Sequence, residues 1–335
     1  LRRINIKTIS LFIIIILVIS SLLVIATKKQ DQSMEQISQE TEELTEQTQE
    51  KQQVQPVLSI KADQVRHLTL ENGEKTIELM PDSPYSEEEV RTNLSGWYIH
   101  QPYQNVYSVK YNPLVDMLYG IAELKWNEII GEKENLDKYG LEQPDMKLTF
   151  QTEEGEETLL IGDQAGEGKR YAKLTDGEQI GTIAEDVLEP YQLQAFELVE
   201  KFVKIIAIDV LEQLQINYGD QEILIEIDHP IEQEDQESPL FFIDDQAVEE
   251  DTFRNLYKDI AGLSVDDTVE DATYHSPEAT MVYTIFNQEQ KEKQEIKVEL
   301  VSYDKQNFAV FLNGKADFLL KKDVFEQMLK KILQA

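Results

Sequence analysis

The sequence predicts an α+β protein, a tandem duplication of a mainly antiparallel sheet-plus-helix module preceded by one transmembrane helix. Three observations lead there. Short alternating apolar segments are punctuated by tight-turn dipeptides such as Asn72-Gly73 and Asn313-Gly314. Their order recurs in the second half of the chain: Leu214-Gln-Ile-Asn-Tyr-Gly219-Asp echoes Leu68-Thr-Leu-Glu-Asn-Gly73-Glu. An uncharged apolar stretch, residues 9–26, stands near the start.

That stretch is preceded by Arg2, Arg3 and Lys7 and closed by Lys28 and Lys29. Its eighteen residues reach about 27 Å as a helix, nearly a bilayer's hydrocarbon thickness. The expectation is a single-pass anchor (residues 1–29) with the N-terminus cytoplasmic and the body outside, although the two lysines beyond the span blunt that bias. The alternative is a cleaved signal peptide, since Val24-Ile25-Ala26 resembles the residues before a cleavage site. Residues 30–56 turn to Gln, Glu, Thr and Ser and form an acidic linker that buries too little to fold alone. Met34, Ile37 and Leu44 follow a heptad-like spacing, which Thr41 and Thr48 interrupt.

The first module spans residues 57–200 and the second 201–335. In the first, residues 65–80 read as a hairpin, Trp97-Tyr98-Ile99 as a strand, and Leu114, Leu118, Ile121 and Ala122 as the apolar face of a helix starting near Asn112-Pro113. Leu148 and Phe150 alternate along a strand that returns through residues 159–161. Residues 171–174 and 179–183 add two strands around Asp176-Gly177, and 184–193 reads as a closing helix. The second module repeats this with a helix over 253–263, strands over 281–286, 296–301 and 308–312, and a closing helix over 322–333.

Composition narrows the function. The formal charge of −34, from 65 acidic and 31 basic residues, disfavours nucleic acid as a partner and favours basic protein surfaces over anionic lipid headgroups. Without cysteine the chain has no disulfide, thiolate metal site, cysteine nucleophile or lipid-bearing cysteine. His67, His100, His229 and His275 are scattered and form no His-Glu-x-x-His helix. The acidic runs 232–237, Asp244-Asp245 and Asp266-Asp267 lack the twelve-residue calcium loop and read as solvated loops. No Gly-x-Ser-x-Gly elbow occurs. The expectation is a protein that is not an enzyme, with no catalytic residue, cofactor or metal.

One run stands out: Leu136-Asp-Lys-Tyr139-Gly140-Leu141-Glu-Gln-Pro144, then Leu160-Ile161-Gly162-Asp163, then Tyr171 and Lys173. On physical grounds Gly140 supplies a positive-φ turn, Pro144 blocks helix continuation, Gly162-Asp163 bends the chain out of a strand, and Tyr139, Leu141 and Tyr171 pack in the core. The sharper alternative is that Gly162, Asp163, Gly166, Gly168, Lys169 and Arg170 form a ligand loop cradling an anion or glycan group, although no Walker or Rossmann register fits. The second module lacks the pattern: Tyr274-His275-Ser276-Pro277 replaces the Tyr-Gly-Leu turn, and 298–302 has no Gly-Asp. If the motif made a site, only the first module would keep it.

These motifs resemble the bacterial "domain of unknown function 4340" family. The resemblance implies an extracytoplasmic body on one N-terminal membrane segment, in some members auxiliary to ABC-type transport systems, including ones linked to gliding motility. The expected function is therefore a non-enzymatic, membrane-anchored interaction or accessory protein, auxiliary to an ABC-type transport system or envelope process and partnered by envelope proteins. The alternative is an extracytoplasmic enzyme or binding protein acting on cell-wall glycan or peptide, which needs a cleft at the junction of the modules.

Overall fold

Two nine-stranded antiparallel sheets carry the chain, and their strands lie in the same order. The computed structural model describes residues 55–73, 75–81, 96–132, 135–229, 238–287 and 292–334. The expected anchor and nearly all of the linker lie outside the described residues. Among the described residues, no helix is long and apolar enough to cross a membrane. From Pro56 to Ala335 the chain is one compact unit.

The first sheet contains β1 (His67–Asn72), β2 (Lys75–Pro81), β3 (Trp97–Gln101), β4 (Tyr107–Ser108), β5 (Glu128–Glu132), β6 (Met146–Gln151), β7 (Glu156–Gln164), β8 (Lys169–Leu174) and β9 (Gln179–Ala184). They are ordered β4-β3-β2-β1-β6-β7-β8-β9-β5. The second contains β10 (Leu211–Tyr218), β11 (Gln221–Asp228), β12 (Leu240–Ile243), β13 (Gln246–Val248), β14 (Asp267–Thr268), β15 (Ala279–Asn287), β16 (Glu292–Ser302), β17 (Asn307–Leu312) and β18 (Lys315–Lys321). Its order is β13-β12-β11-β10-β15-β16-β17-β18-β14.

Register makes the correspondence residue by residue. Leu70 sits opposite Ile77 and Leu148, as Ile216 sits opposite Ile223 and Met281, and all six side chains are buried. Each module also opens in the same way. Val57 N donates to Leu124 O (2.9 Å), and Val203 N donates to Leu263 O (2.8 Å). Beside them, Pro56 bridges Lys125 as Phe202 bridges Ser264.

Local chemistry explains the elements. Alternation along β1 buries Leu68 and Leu70, and Gly73 (φ +62°) supplies the left-handed turn that a tight hairpin requires. Gly219 (φ +58°) does the same after β10. Helix α1 (Tyr111–Gly120) buries Leu114, Met117 and Leu118. It stops at Gly120, and the expected continuation is a 3₁₀ turn, Ile121–Glu123, that leaves Ala122 exposed. The expected closing helix of the first module is a 3₁₀ helix, Asp186–Gln192, followed by the short α2 (Ala195–Leu198). Pro190 explains this, because it lacks an N–H and its ring opposes regular α-helix. In the second module, α3 (Glu250–Ala261) buries Phe253, Tyr257 and Ile260. The closing α4 (Lys322–Ile332) has no proline and buries Phe325, Met328, Leu329 and Ile332. The sequence reading missed β4, β12, β13 and β14, which are too short for their alternation to register, and β5, whose alternation is broken by a bulge.

One apolar cluster runs through both modules, from Val57 to Ile332. A second, small cluster of Val269, Val301, Ala309, Phe311, Ala316 and Leu319 belongs to the second sheet alone.

Candidate functional site

The conspicuous run of the first module proves to be two segments that interlock. Residues Leu136–Tyr139 form a 3₁₀ turn ended by Gly140 in the left-handed region (φ +66°), where Gly140 N donates to Asp137 O (3.1 Å). This turn lies against the end of β7. A Cβ on Gly162 would stand 2.1 Å from Tyr139 O, and one on Gly140 would stand 2.6 Å from Asp163 Oδ1. Each glycine is thus required by the backbone or side chain it meets, beyond any turn it makes. Leu141 is buried as expected. Tyr139 and Tyr171 are only half-buried and pack on each other edge to face, with centroids 4.9 Å apart. Mutual packing above the sheet replaces the expected burial in the core.

The six candidate ligand residues occupy the β7–β8 hairpin. Asp163, Gly166 and Gly168 are exposed, Lys169 and Arg170 are half-buried, and Gly162 is buried. Ala165 N donates to Lys169 O (2.9 Å) and Glu185 N to Gly168 O (2.9 Å), which fixes the turn. Arg170 folds back on its own loop: Nε donates to Gly162 O (2.8 Å), Nη2 pairs with Asp145, and Nη1 lies 4.0 Å from Glu185. The guanidinium is therefore already matched by carboxylates and a carbonyl. An arriving anion would meet Lys169 and the exposed turn.

A second constellation joins the two modules, and the sequence reading missed it. Asp317, 5% exposed in β18, accepts hydrogen bonds from Gln104 N (2.7 Å), Asn105 N (3.0 Å), Asn105 Nδ2 (3.0 Å) and Tyr107 Oη (3.0 Å). All four donors come from the first module. Asn105 Nδ2 also donates to Lys315 O (3.2 Å). Beside this carboxylate, Phe318 contacts the rings of Tyr103, Tyr107 and Phe196 at 4.8, 4.6 and 5.7 Å. Burial, and then the charge of Asp317, push the hydroxyls of Tyr103 and Tyr107 well above the usual tyrosine range. Both phenols stay neutral, and Tyr107 is held as a donor. The signal available in the sequence was a lone acid inside the apolar run Ala316-Asp317-Phe318-Leu319-Leu320, since a buried carboxylate must find donors.

The corresponding place in the first module is closed differently. Gly181 faces Ala172 as Phe318 faces Val310. A Cβ on Gly181 would stand 2.5 Å from Trp126 Cε3. Trp126 covers its own sheet there, whereas Phe318 meets the other module.

The histidines sit on separate elements. His67 lies on β1 and His100 on β3. His229 Nε2 donates to Leu211 O (2.8 Å), and His275 Nδ1 is 3.2 Å from Thr273 O. Asp244 and Asp245 form the left-handed turn between β12 and β13, and Asp266 pairs with Lys321. A polar groove of ≈ 470 Å³ on the second sheet is lined by residues including Glu212, Glu226, Asp228, His229 and Lys293. Lys293 Nζ lies 2.6 Å from Glu212.

Two antiparallel sheets of identical strand order, joined through a buried carboxylate, define an α+β, largely β protein built on one module plan. The chain belongs to the family described as Domain of unknown function (DUF4340), whose family model matches residues 97–281. The match begins at β3 and ends within β15, so it covers the first module from its third strand onward and the second as far as the start of β15. No curated protein and no solved structure matches the chain.

Proposed function

We propose that the protein is a non-enzymatic accessory protein, anchored in the cell membrane by residues 9–26 and holding its two-sheet body outside the cytoplasm. It works by binding another envelope protein, such as a component of an ABC-type transport system. The apolar stretch, the acidic linker and the net charge of −34 support this placement. The observation that carries the non-enzymatic reading is the junction. A two-module enzyme would place its cleft there, and that space holds Tyr103, Tyr107, Phe196 and Phe318 packed beside Asp317.

Crosslinking of the full-length protein in its native membrane, followed by co-purification, tests the reading. A defined stoichiometric partner is expected, and recovery of the protein alone would overturn it. The rival enzyme on glycan or peptide has a candidate site in the open groove at Glu226, Asp228 and His229. Turnover of purified envelope material by the full-length protein, abolished by Asp228→Asn, would establish that rival instead.

A further inference from the structure

We infer that the outer edge of β5 is the docking strand of this protein, and that it takes an extended peptide segment carrying cationic side chains from its partner. The inference rests on the accessory reading and names the surface that would serve it.

Four strands end the two sheets: β4, β5, β13 and β14. An open strand edge presents unpaired backbone donors and acceptors, and proteins ordinarily shorten, charge or cover such edges. Three of these four are treated in that way. Strand β4 has two residues, and the connection between the modules covers it: Glu200 N donates to Ser108 O (2.8 Å) and Val199 bridges Val109. Strand β13 has three residues, and β14 has two, Asp267 and Thr268. Strand β5 is neither shortened nor covered by a paired strand, although it carries Glu128 and a bulge. It runs for five residues, Glu128–Glu132, along β9, and among the described residues no strand pairs with its other side.

Its side chains differ from those of its counterpart as well. Glu128 of β5 faces Thr182 as Asp267 of β14 faces Leu319. Strand β14 stops one residue later, with Thr268 opposite Phe318 as Ile129 is opposite Gly181, while β5 continues through Ile130 to Glu132. A bulge places Ile129 opposite Gly181 and Gly131 opposite Ile180, so Ile130 is the extra residue. Bulges re-aim side chains, and here both isoleucines are exposed, at 43% and 41%. Exposed acids lie on the strand and beside it: Glu128 within it and Glu178 next to Gln179, which faces Glu132, while Glu123 before the strand is already paired with Lys125.

These features specify the occupant. Unpaired strand backbone selects an extended peptide through main-chain hydrogen bonds, and the exposed side chains select its sequence. Apolar residues would cover Ile129 and Ile130, and lysine or arginine would match the acids. A second copy of this chain fits poorly, because it would bring the same acids and its own charge of −34 to the same edge.

The probe is a capped peptide of alternating valine and lysine, added to the full-length protein in detergent. Binding is followed by amide hydrogen exchange and by the fluorescence of Trp126, which lies beside Gly181. The expected result is slowed exchange at residues 127–131, with affinity lowered about tenfold or more when alternate peptide amides are N-methylated at unchanged charge. Glu128→Lys and Ile129→Lys should each weaken binding while leaving the thermal transition in place, because both side chains are exposed. Equal binding by the N-methylated or a valine–glutamate peptide, protection elsewhere only, or dimerisation through residues 128–132 without peptide would overturn the proposal. The crosslinking experiment separates the two levels. A partner recovered equally well by the Ile129→Lys protein would sink the edge proposal and leave the accessory reading intact. Loss of the partner from the wild-type protein would sink the accessory reading.

Discussion

The face of the first sheet that carries Gly162, Tyr171, Lys173 and Thr182 corresponds to the face of the second that carries Val301, Ala309, Phe311 and Leu319. The equivalence follows from register: Ile161 faces Ala172 as Leu300 faces Val310, and Tyr171 faces Thr182 as Ala309 faces Leu319. In the second module this face is closed by a small apolar cluster. In the first it is closed by the backbone of the Leu136–Tyr139 turn pressed on Gly162, and by two buried polar side chains, Lys173 (2% exposed) and Thr182. Lys173 Nζ donates to Leu174 O (2.5 Å) and Thr175 O (3.0 Å). One scaffold thus tolerates two kinds of cover, and the residues that look like a motif are those required by the tighter one.

Exchanging residues between the two faces should break this comparison asymmetrically. Gly162→Val puts a side chain where a Cβ already falls 2.1 Å from a carbonyl oxygen. It should cost about 3 kcal/mol or more, since overpacking against backbone cannot be relieved by a rotamer. The reciprocal Val301→Gly should cost about 1–3 kcal/mol, through lost burial and added chain entropy. Denaturant titration of the two variants measures the difference, and equal losses would contradict the assignment.

The junction offers the next largest effect. Asp317→Ala removes the acceptor of four hydrogen bonds and should cost about 3 kcal/mol, because buried donors are left unpaired. Asp317→Asn, which keeps one acceptor oxygen, should cost less.

Glycines in open turns sharpen the same contrast at smaller scale. Gly73 and Gly219 are equivalent, both have positive φ, and a methyl group added at either would meet no atom within 4 Å. Alanine at either should cost about 1–2 kcal/mol, the strain of the left-handed conformation alone. Thermal or denaturant unfolding of the two variants should give values that agree.

The smallest effect is a gain. Burial lowers the pKa of Lys204, so the unfolded chain binds its proton more tightly than the native protein does. That destabilisation is full below the folded-state pKa and fades as pH rises toward the ordinary lysine value of roughly 10.4. Lys204→Met should therefore raise the thermal midpoint near neutral pH, with the advantage shrinking in alkaline buffer. A constant advantage across that range would assign it to packing instead.

Much of this architecture was legible in the sequence. Alternation around Asn72-Gly73 and Asn313-Gly314 marks hairpins because the turn needs left-handed backbone, and the echo of Leu68–Gly73 in Leu214–Gly219 reveals the second copy. The helices were legible where apolar spacing was regular, and less so where Pro190 forced a 3₁₀ path. The edge strands were not: β4, β13 and β14 have only two or three residues, and a bulge at Ile130 breaks the alternation of β5. The junction was hidden for another reason. Asn105 and Tyr107 lie some two hundred residues from Asp317 in sequence, and nothing local announces that these side chains will find one another. The glycine run was found readily, but its close approach of Tyr139 O to Gly162 is a tertiary fact.

The most direct test of the two-copy architecture joined at Asp317 is native-state amide hydrogen exchange on the full-length protein, read at the central strands β6 and β15. In the wild-type protein both strands should exchange through one shared opening, and Asp317→Ala should separate them into two openings of different free energy. Independent exchange of the two strands in the wild type, or a shared opening that survives Asp317→Ala, would contradict it.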